Sequence, residues 1–138
     1  MKTTNLKTAA ITALFGIGLL AGCTNSTTNQ KTSDMKTLNL TQEWDKTFPQ
    51  SDKVNHSKVT FTNRYGITLA ADMYVPKNAT GKLPAIAVCG PFGAVKEQAA
   101  GLYAQTMAER GFLTVAFDPS YTGESGGEPR YVVSPDIN

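Results

Sequence analysis

Two short apolar runs set the main constraint on this chain. "LPAIAVCG" covers Leu83–Gly90 and "GFLTVAF" covers Gly111–Phe117. Runs this short with almost no polar residue suit strands buried on both faces. Pro84 and Gly90 bound the first run and Gly111 opens the second. Between them Val95, Ala99, Leu102, Thr106 and Met107 recur at helical spacing, which predicts a helix with that set as its apolar face. The pattern reaches Arg110, and Gly111 stands where a terminating glycine belongs. Strand, helix and strand over Leu83–Phe117 make a parallel crossover, expected to be right-handed.

The stretch ahead of this unit reads as a hairpin. "KVTFTN" alternates, "RYG" turns, and "ITLAADMYVP" extends as a second strand to Pro76. "KNATGK" is then a connecting loop. A hairpin followed by a parallel β-α-β unit belongs to the α/β class.

The N-terminus carries a targeting pattern. "MKTTNLK" is basic, and "TAAITALFGIGLL" is an apolar run of about a dozen residues, short of the roughly 20 that cross a bilayer. "LLAGC" then places small residues directly before Cys23. This arrangement resembles the lipobox of bacterial lipoproteins. The resemblance implies that residues 1–22 are a signal peptide and that Cys23 is lipid-modified. The chain would then be anchored to a membrane of the bacterial cell envelope, facing outside the cytoplasm. Without Lys2 and Lys7, which lie in that segment, 11 basic residues face 11 acidic ones, so no net charge draws in a polyanion. No basic cluster with interleaved aromatics is present, which excludes nucleic acid as a partner.

Residues 23–50 divide in two. "TNSTTNQKTSDMKT" is polar and without apolar period, a flexible tether. "LNLTQEWDKTFPQ", residues 38–50, predicts a short helix with Thr41 as N-cap, Glu43 in the first turn and Pro49 as its stop. Trp44 and Phe48 would dock one face of it. Residues 51–138 form the domain. Its one cysteine, Cys89, ends an apolar run and is expected as a small buried hydrophobe.

Sites in α/β sheets form at the carboxyl ends of strands. At the first such end, "CGPFGAVKEQ", Pro91 has no N–H to give. Phe92 is the first residue beyond it that can donate, and Gly93 allows a tight turn. A backbone donor here suits acyl transfer, in which charge develops on a carbonyl oxygen. The helix is expected directly afterwards, with its positive end toward the loop. A plain strand-to-helix turn, in which Gly93 serves geometry alone, is the other reading. At the second end, "FDPSYTGESGG", Asp118 either organises the loop or lies near a site.

"GESGG", Gly123–Gly127, matches the G-x-S-x-G of a nucleophile elbow. That elbow needs a strand immediately before the serine and a helix immediately after it. Ser125 is preceded by the turn formers "PSYTG" and followed by Pro129 and Pro135, which resist a helix. Ser125 is therefore read as a loop residue. No CxxC or HExxH spacing points to a metal, and no motif implies a cofactor.

Taken together, "VTFTNRYGITLAADMYVP", "PAIAVCGPFGAVKEQ" and "GFLTVAFDPSYTGESGGEPR" resemble the first part of the α/β-hydrolase fold. They are most similar to bacterial hydrolases of the dienelactone-hydrolase and prolyl-oligopeptidase-like branch. The resemblance spans residues 51–138. It implies that the backbone N–H of Phe92 is an oxyanion-hole donor, with Gly90-Pro91 where the family usually has His-Gly. It also implies that the nucleophile follows a fifth strand, about 30 residues beyond Asn138 at usual crossover lengths. The family's histidine comes last, so His56, the single histidine, is expected at the surface or the hairpin edge.

On this reading the chain is an incomplete, N-terminal portion of a membrane-anchored hydrolase of ester, lactone or amide bonds. The other function class left open is a truncated, non-catalytic envelope lipoprotein. Without a fifth strand the third strand would be an open edge, and the chain alone is expected to be insoluble or molten.

Overall fold

The computed structural model describes residues 37–137. The expected signal peptide 1–22, the expected lipidation site Cys23 and residues 24–36 of the expected tether lie outside the described residues.

Alternating residues build a hairpin from β1 (Val54–Thr62) and β2 (Thr68–Pro76), antiparallel, with Val54 opposite Pro76 and Thr62 opposite Thr68. The Asn63 side chain accepts the amides of Tyr65 and Ile67, which fixes the turn that Gly66 completes at φ +77°. β1 starts at Val54, ahead of the expected Lys58, because Val54 and His56 also face the covered side. The apolar runs form β3 (Ala85–Cys89) and β4 (Leu113–Phe117), which pair in parallel across α1 (Ala99–Glu109). β4 also pairs antiparallel with β2, giving one mixed sheet in the order β1-β2-β4-β3.

The core lies between one sheet face and α1. Val54, Tyr74 and Ala116 meet Ala100, Ala104 and Ala108, with Trp44 and Val88 packed against them. The helix therefore turns a different face inward from the expected one. Its buried residues are Ala100, Gly101, Ala104, Gln105 and Ala108, while Leu102 and Tyr103 are exposed. Small side chains one turn apart let the helix approach the sheet closely, and that closeness outweighs the size of Leu102. At Gly101 a β-carbon would run into the Lys96 carbonyl and the Phe48 ring. Thr114 donates its hydroxyl to the Ala104 carbonyl at 2.8 Å, fastening β4 to α1.

β3 departs from the expectation of burial on both faces. Ala85, Ala87 and Cys89 are exposed on the face away from α1, whereas the strand's place at the sheet edge among the described residues is the expected one. Cys89 is thus an exposed thiol and not a buried hydrophobe.

The expected helix over 38–50 is absent. The backbone groups it would pair internally go to distant partners instead. The Thr41 amide donates to Glu124 Oε1 at 2.6 Å and the Thr47 amide to the Glu97 carbonyl at 3.0 Å. Gln105 closes the end by donating to the Pro49 carbonyl and accepting the Ser51 amide. Trp44 and Phe48 do pack together, edge to face at 5.6 Å, and the indole N–H donates to the Phe48 carbonyl at 2.7 Å. Residues 38–50 are a strap on the domain, held at both ends.

Candidate active site

Two loops meet at the carboxyl ends of β3 and β4. In the first, the Pro91 carbonyl accepts the Ala94 amide at 3.0 Å, and Gly93 takes φ +80°. This turn leaves Phe92 73% exposed. The Phe92 amide has no acceptor among the described residues. The helix does not begin directly after Gly93, contrary to expectation. A separate turn intervenes, in which Gln98 donates its amide to the Val95 carbonyl and accepts the Val95 amide on its side chain. The positive end of α1 is therefore set back from Phe92.

The second loop, Asp118–Gly127, is organised by Asp118. This residue is fully buried; its Oδ1 accepts the Lys96 amide at 2.8 Å. Its Oδ2 accepts the Lys96 ammonium at 2.8 Å and the Glu124 amide at 3.0 Å. Ser125 is 2% exposed, which removes it from any substrate. Its hydroxyl donates to the Asp118 carbonyl at 2.7 Å and accepts the Ala70 amide at 2.9 Å. No capacity is left for a base to activate it. The glycines of "GESGG" answer to packing: a β-carbon on Gly123 would strike the Asp118 carboxylate, and one on Gly127 the Tyr121 ring. Arg130 seals the loop by donating to the carbonyls of Gly123 and Ser125.

A chain of charges runs beneath both loops and across the covered sheet face. His56 Nε2 lies 2.8 Å from Asp72 Oδ1, and Asp72 Oδ2 lies 3.1 Å from the Lys46 ammonium. The second contact is an ion pair without hydrogen-bond alignment. Lys46 pairs with Asp45, Asp45 with Lys58 at 2.9 Å, and Lys58 with Glu124 at 2.6 Å. Lys96 joins Glu124 at 2.8 Å, Glu97 and Asp118. His56 sits on edge strand β1 as expected, but its ring turns inward, packed against Trp44 and Tyr74. Asp45, Glu97 and Glu124 cluster closely enough to suggest a cation site. The ammonium groups of Lys58 and Lys96 already occupy their midst.

These contacts shift titrations. Burial alone would raise the Glu124 carboxyl, but hydrogen bonds from Lys58, Lys96 and the Thr41 amide bring it down to about 2. Burial likewise opposes ionisation of Asp45, and Lys46 and Lys58 overcome it to leave it at about 2. Burial disfavours the Lys96 ammonium, yet Asp118, Glu124 and Glu97 together push it well above the usual lysine range. Partial burial and the Asp118 charge raise the Cys89 thiol, outweighing a hydrogen bond with Gly90. Cys89 is therefore no activated nucleophile.

The sequence reading placed Phe92, Asp118 and Ser125 at these two loops, as observed. It missed Lys96, Asp72 and their partners. Two signals were present: an aspartate inside the apolar stretch "LAADMYV", and the adjacent charges Lys96 and Glu97 in the loop after an apolar strand.

Residues 65–137, more than half of the chain, match the model of the X-Pro dipeptidyl-peptidase (S15) family. The chain belongs to the S15 family. The S15 match begins in the hairpin turn and takes in both loops. Among relatives, the uncharacterized protein PA2218 of Pseudomonas aeruginosa is 70% identical over 124 residues, 86% of this chain and 33% of that protein. Its crystal structure superposes with a TM-score of 0.72 at 78% identity, covering 74% of this chain and 32% of that one. The uncharacterized protein YcjY of Escherichia coli is 49% identical over 86 residues, 59% of this chain and 28% of YcjY. Acetyl xylan esterase 1 of Thermoanaerobacterium shares the fold, with a TM-score of 0.50 at 20% identity over 67% of this chain and 26% of the esterase. The fold class read from the sequence, a hairpin and parallel β-α-β unit of an α/β-hydrolase sheet, is the one this S15 chain has. The chain spans about a third of the length of the curated relatives it matches.

Proposed function

We propose that this chain supplies the oxyanion side of a hydrolase that cleaves ester, lactone or amide bonds. The observation that carries this reading is the Phe92 amide, which has no acceptor among the described residues, in the exposed turn that follows β3 in a chain of the S15 family. When a nucleophile attacks a carbonyl carbon, the oxygen gains charge and a fixed N–H stabilises it more than it stabilised the substrate. Pro91 stiffens the approach and Gly93 turns the chain away, so the amide is set before substrate arrives. The nucleophile, acid and base belong to the part of the family's length that this chain does not span. Ser125 is not the nucleophile, since its hydroxyl is committed on both sides.

Membership of the X-Pro dipeptidyl-peptidase family makes an amide bond after proline a natural first substrate. A lipid on Cys23 would hold the enzyme at the cell envelope and present it to small substrates outside the cytoplasm. The test is hydrolysis of p-nitrophenyl esters, a lactone and an Ala-Pro anilide by the protein at its natural length. Turnover of one of them, stopped by a covalent serine- or cysteine-directed inhibitor, is the expected result; no turnover of any would overturn the reading. For the anchor, incorporation of a palmitate analogue should disappear in Cys23→Ser, and equal incorporation would contradict it.

A further inference from the structure

We infer that Lys96 is a positioning residue for the Phe92 amide, holding the loop after β3 against the loop after β4 through Asp118; this rests on the oxyanion reading above. One carboxylate grips Lys96 at two points, its amide on Oδ1 and its ammonium on Oδ2. That carboxylate is itself fixed, because the Asp118 amide donates to the Ala70 carbonyl of β2 at 3.0 Å and the Asp118 carbonyl accepts from Ser125. On its other side the Lys96 carbonyl lies against Gly101, with no room for a β-carbon between them. Lys96 is therefore pinned from the sheet and from the helix together.

Phe92 stands four residues earlier, between Pro91 and Gly93. The intervening hydrogen bonds are local: Ala94 to Pro91, and Val95 to Gln98. The free amide thus takes its position from β3 on one side and from Lys96 on the other. Charge chemistry points the same way. The Lys96 side chain is fully buried and needs Asp118, Glu124 and Glu97 around it. A buried ammonium is a weak source of stability compared with a well-packed apolar side chain, but it fixes geometry through directional bonds. Here those bonds span the two loops that border the proposed site. A misplacement of about 1 Å at a reacting group can cost about 100-fold in rate, so such a clamp matters to catalysis.

The test uses Lys96→Met and the near-isosteric Asp118→Asn in the protein at its natural length. Hydrogen exchange should quicken at least about tenfold in peptides covering residues 90–95, while peptides from β2 and α1 stay unchanged. In steady-state assays on the best ester, kcat should fall by about 10- to 100-fold with KM within about twofold. A boronic acid that mimics the tetrahedral intermediate should lose affinity by the same factor as kcat/KM. If exchange at 90–95 is unchanged in Asp118→Asn and in Lys96→Met, the inference is overturned. A uniform rise across β2 and α1 in both variants overturns it too, because Lys96 then supports the whole fold. Selective loosening with kcat unchanged keeps Lys96 as the clamp and instead removes Phe92 from the reaction, which separates the two claims.

Discussion

The Ser125 hydroxyl accepts the Ala70 amide at 2.9 Å, so a loop residue completes the hydrogen bonding of interior strand β2. The same hydroxyl donates to the Asp118 carbonyl. Ser125→Ala leaves a buried amide without a partner, which costs about 1–3 kcal/mol. Urea unfolding should show that loss, and hydrolysis per folded molecule should stay unchanged. A fall in rate without a loss of stability would restore Ser125 as a catalytic group.

Gly123 tests whether the motif is packing. It has φ +55° and its missing β-carbon would meet the Asp118 carboxylate. Gly123→Ala therefore combines backbone strain with a steric clash, about 3 kcal/mol together. Gly81 has φ +75° with nothing near it, so Gly81→Ala should cost only the backbone share, about 1 kcal/mol. Equal urea midpoints for the two variants would contradict the account of the loop.

Stability should follow the charge chain across pH. Glu124 and Asp45 titrate at about 2 when folded, below their ordinary values of 4.5 and 3.8. Their contribution is fully present above those ordinary values and is lost as pH falls through about 2. Lys58 and Lys96 are raised above 10.5, so their contribution is fully present below that pH and is lost as pH rises through their folded values. Thermal midpoints should be level between about pH 5 and 10 and decline on both sides. A midpoint unchanged from pH 5 to pH 2.5 would rule out these carboxylates as stabilising partners.

The strap gives an optical signal. Trp44 is the sole tryptophan and is held by Phe48, His56 and the nearby Lys46 ammonium. Phe48 is 8% exposed, so Phe48→Ala should cost about 3 kcal/mol. It should also shift Trp44 emission to longer wavelength, as the indole gains water. An unshifted spectrum would show that the strap stays docked without Phe48.

The hairpin and the β-α-β unit were legible because period and apolar runs are local signals. The strap was not: Thr41 finds its partner at Glu124, 83 residues away, and no local pattern records that bond. The inner face of α1 was misread for a related reason. Hydrophobic size pointed to Leu102, whereas close approach to the sheet selected Ala100, Ala104 and Ala108. The place of Phe92 in the loop after β3 was legible, since Gly-Pro-Phe-Gly directly follows an apolar strand. The Lys96–Asp118 pair was hidden, because the two residues lie 22 positions apart on loops after different strands.

The central claim is that the Phe92 backbone amide stabilises the oxyanion, and two substitutions separate backbone from side chain. Phe92→Ala keeps the N–H and should hold kcat on the best ester within about threefold, whereas Phe92→Pro removes the donor and should lower kcat by about 100- to 1,000-fold with KM little changed. Equal kcat values for folded Phe92→Pro and Phe92→Ala would contradict the account.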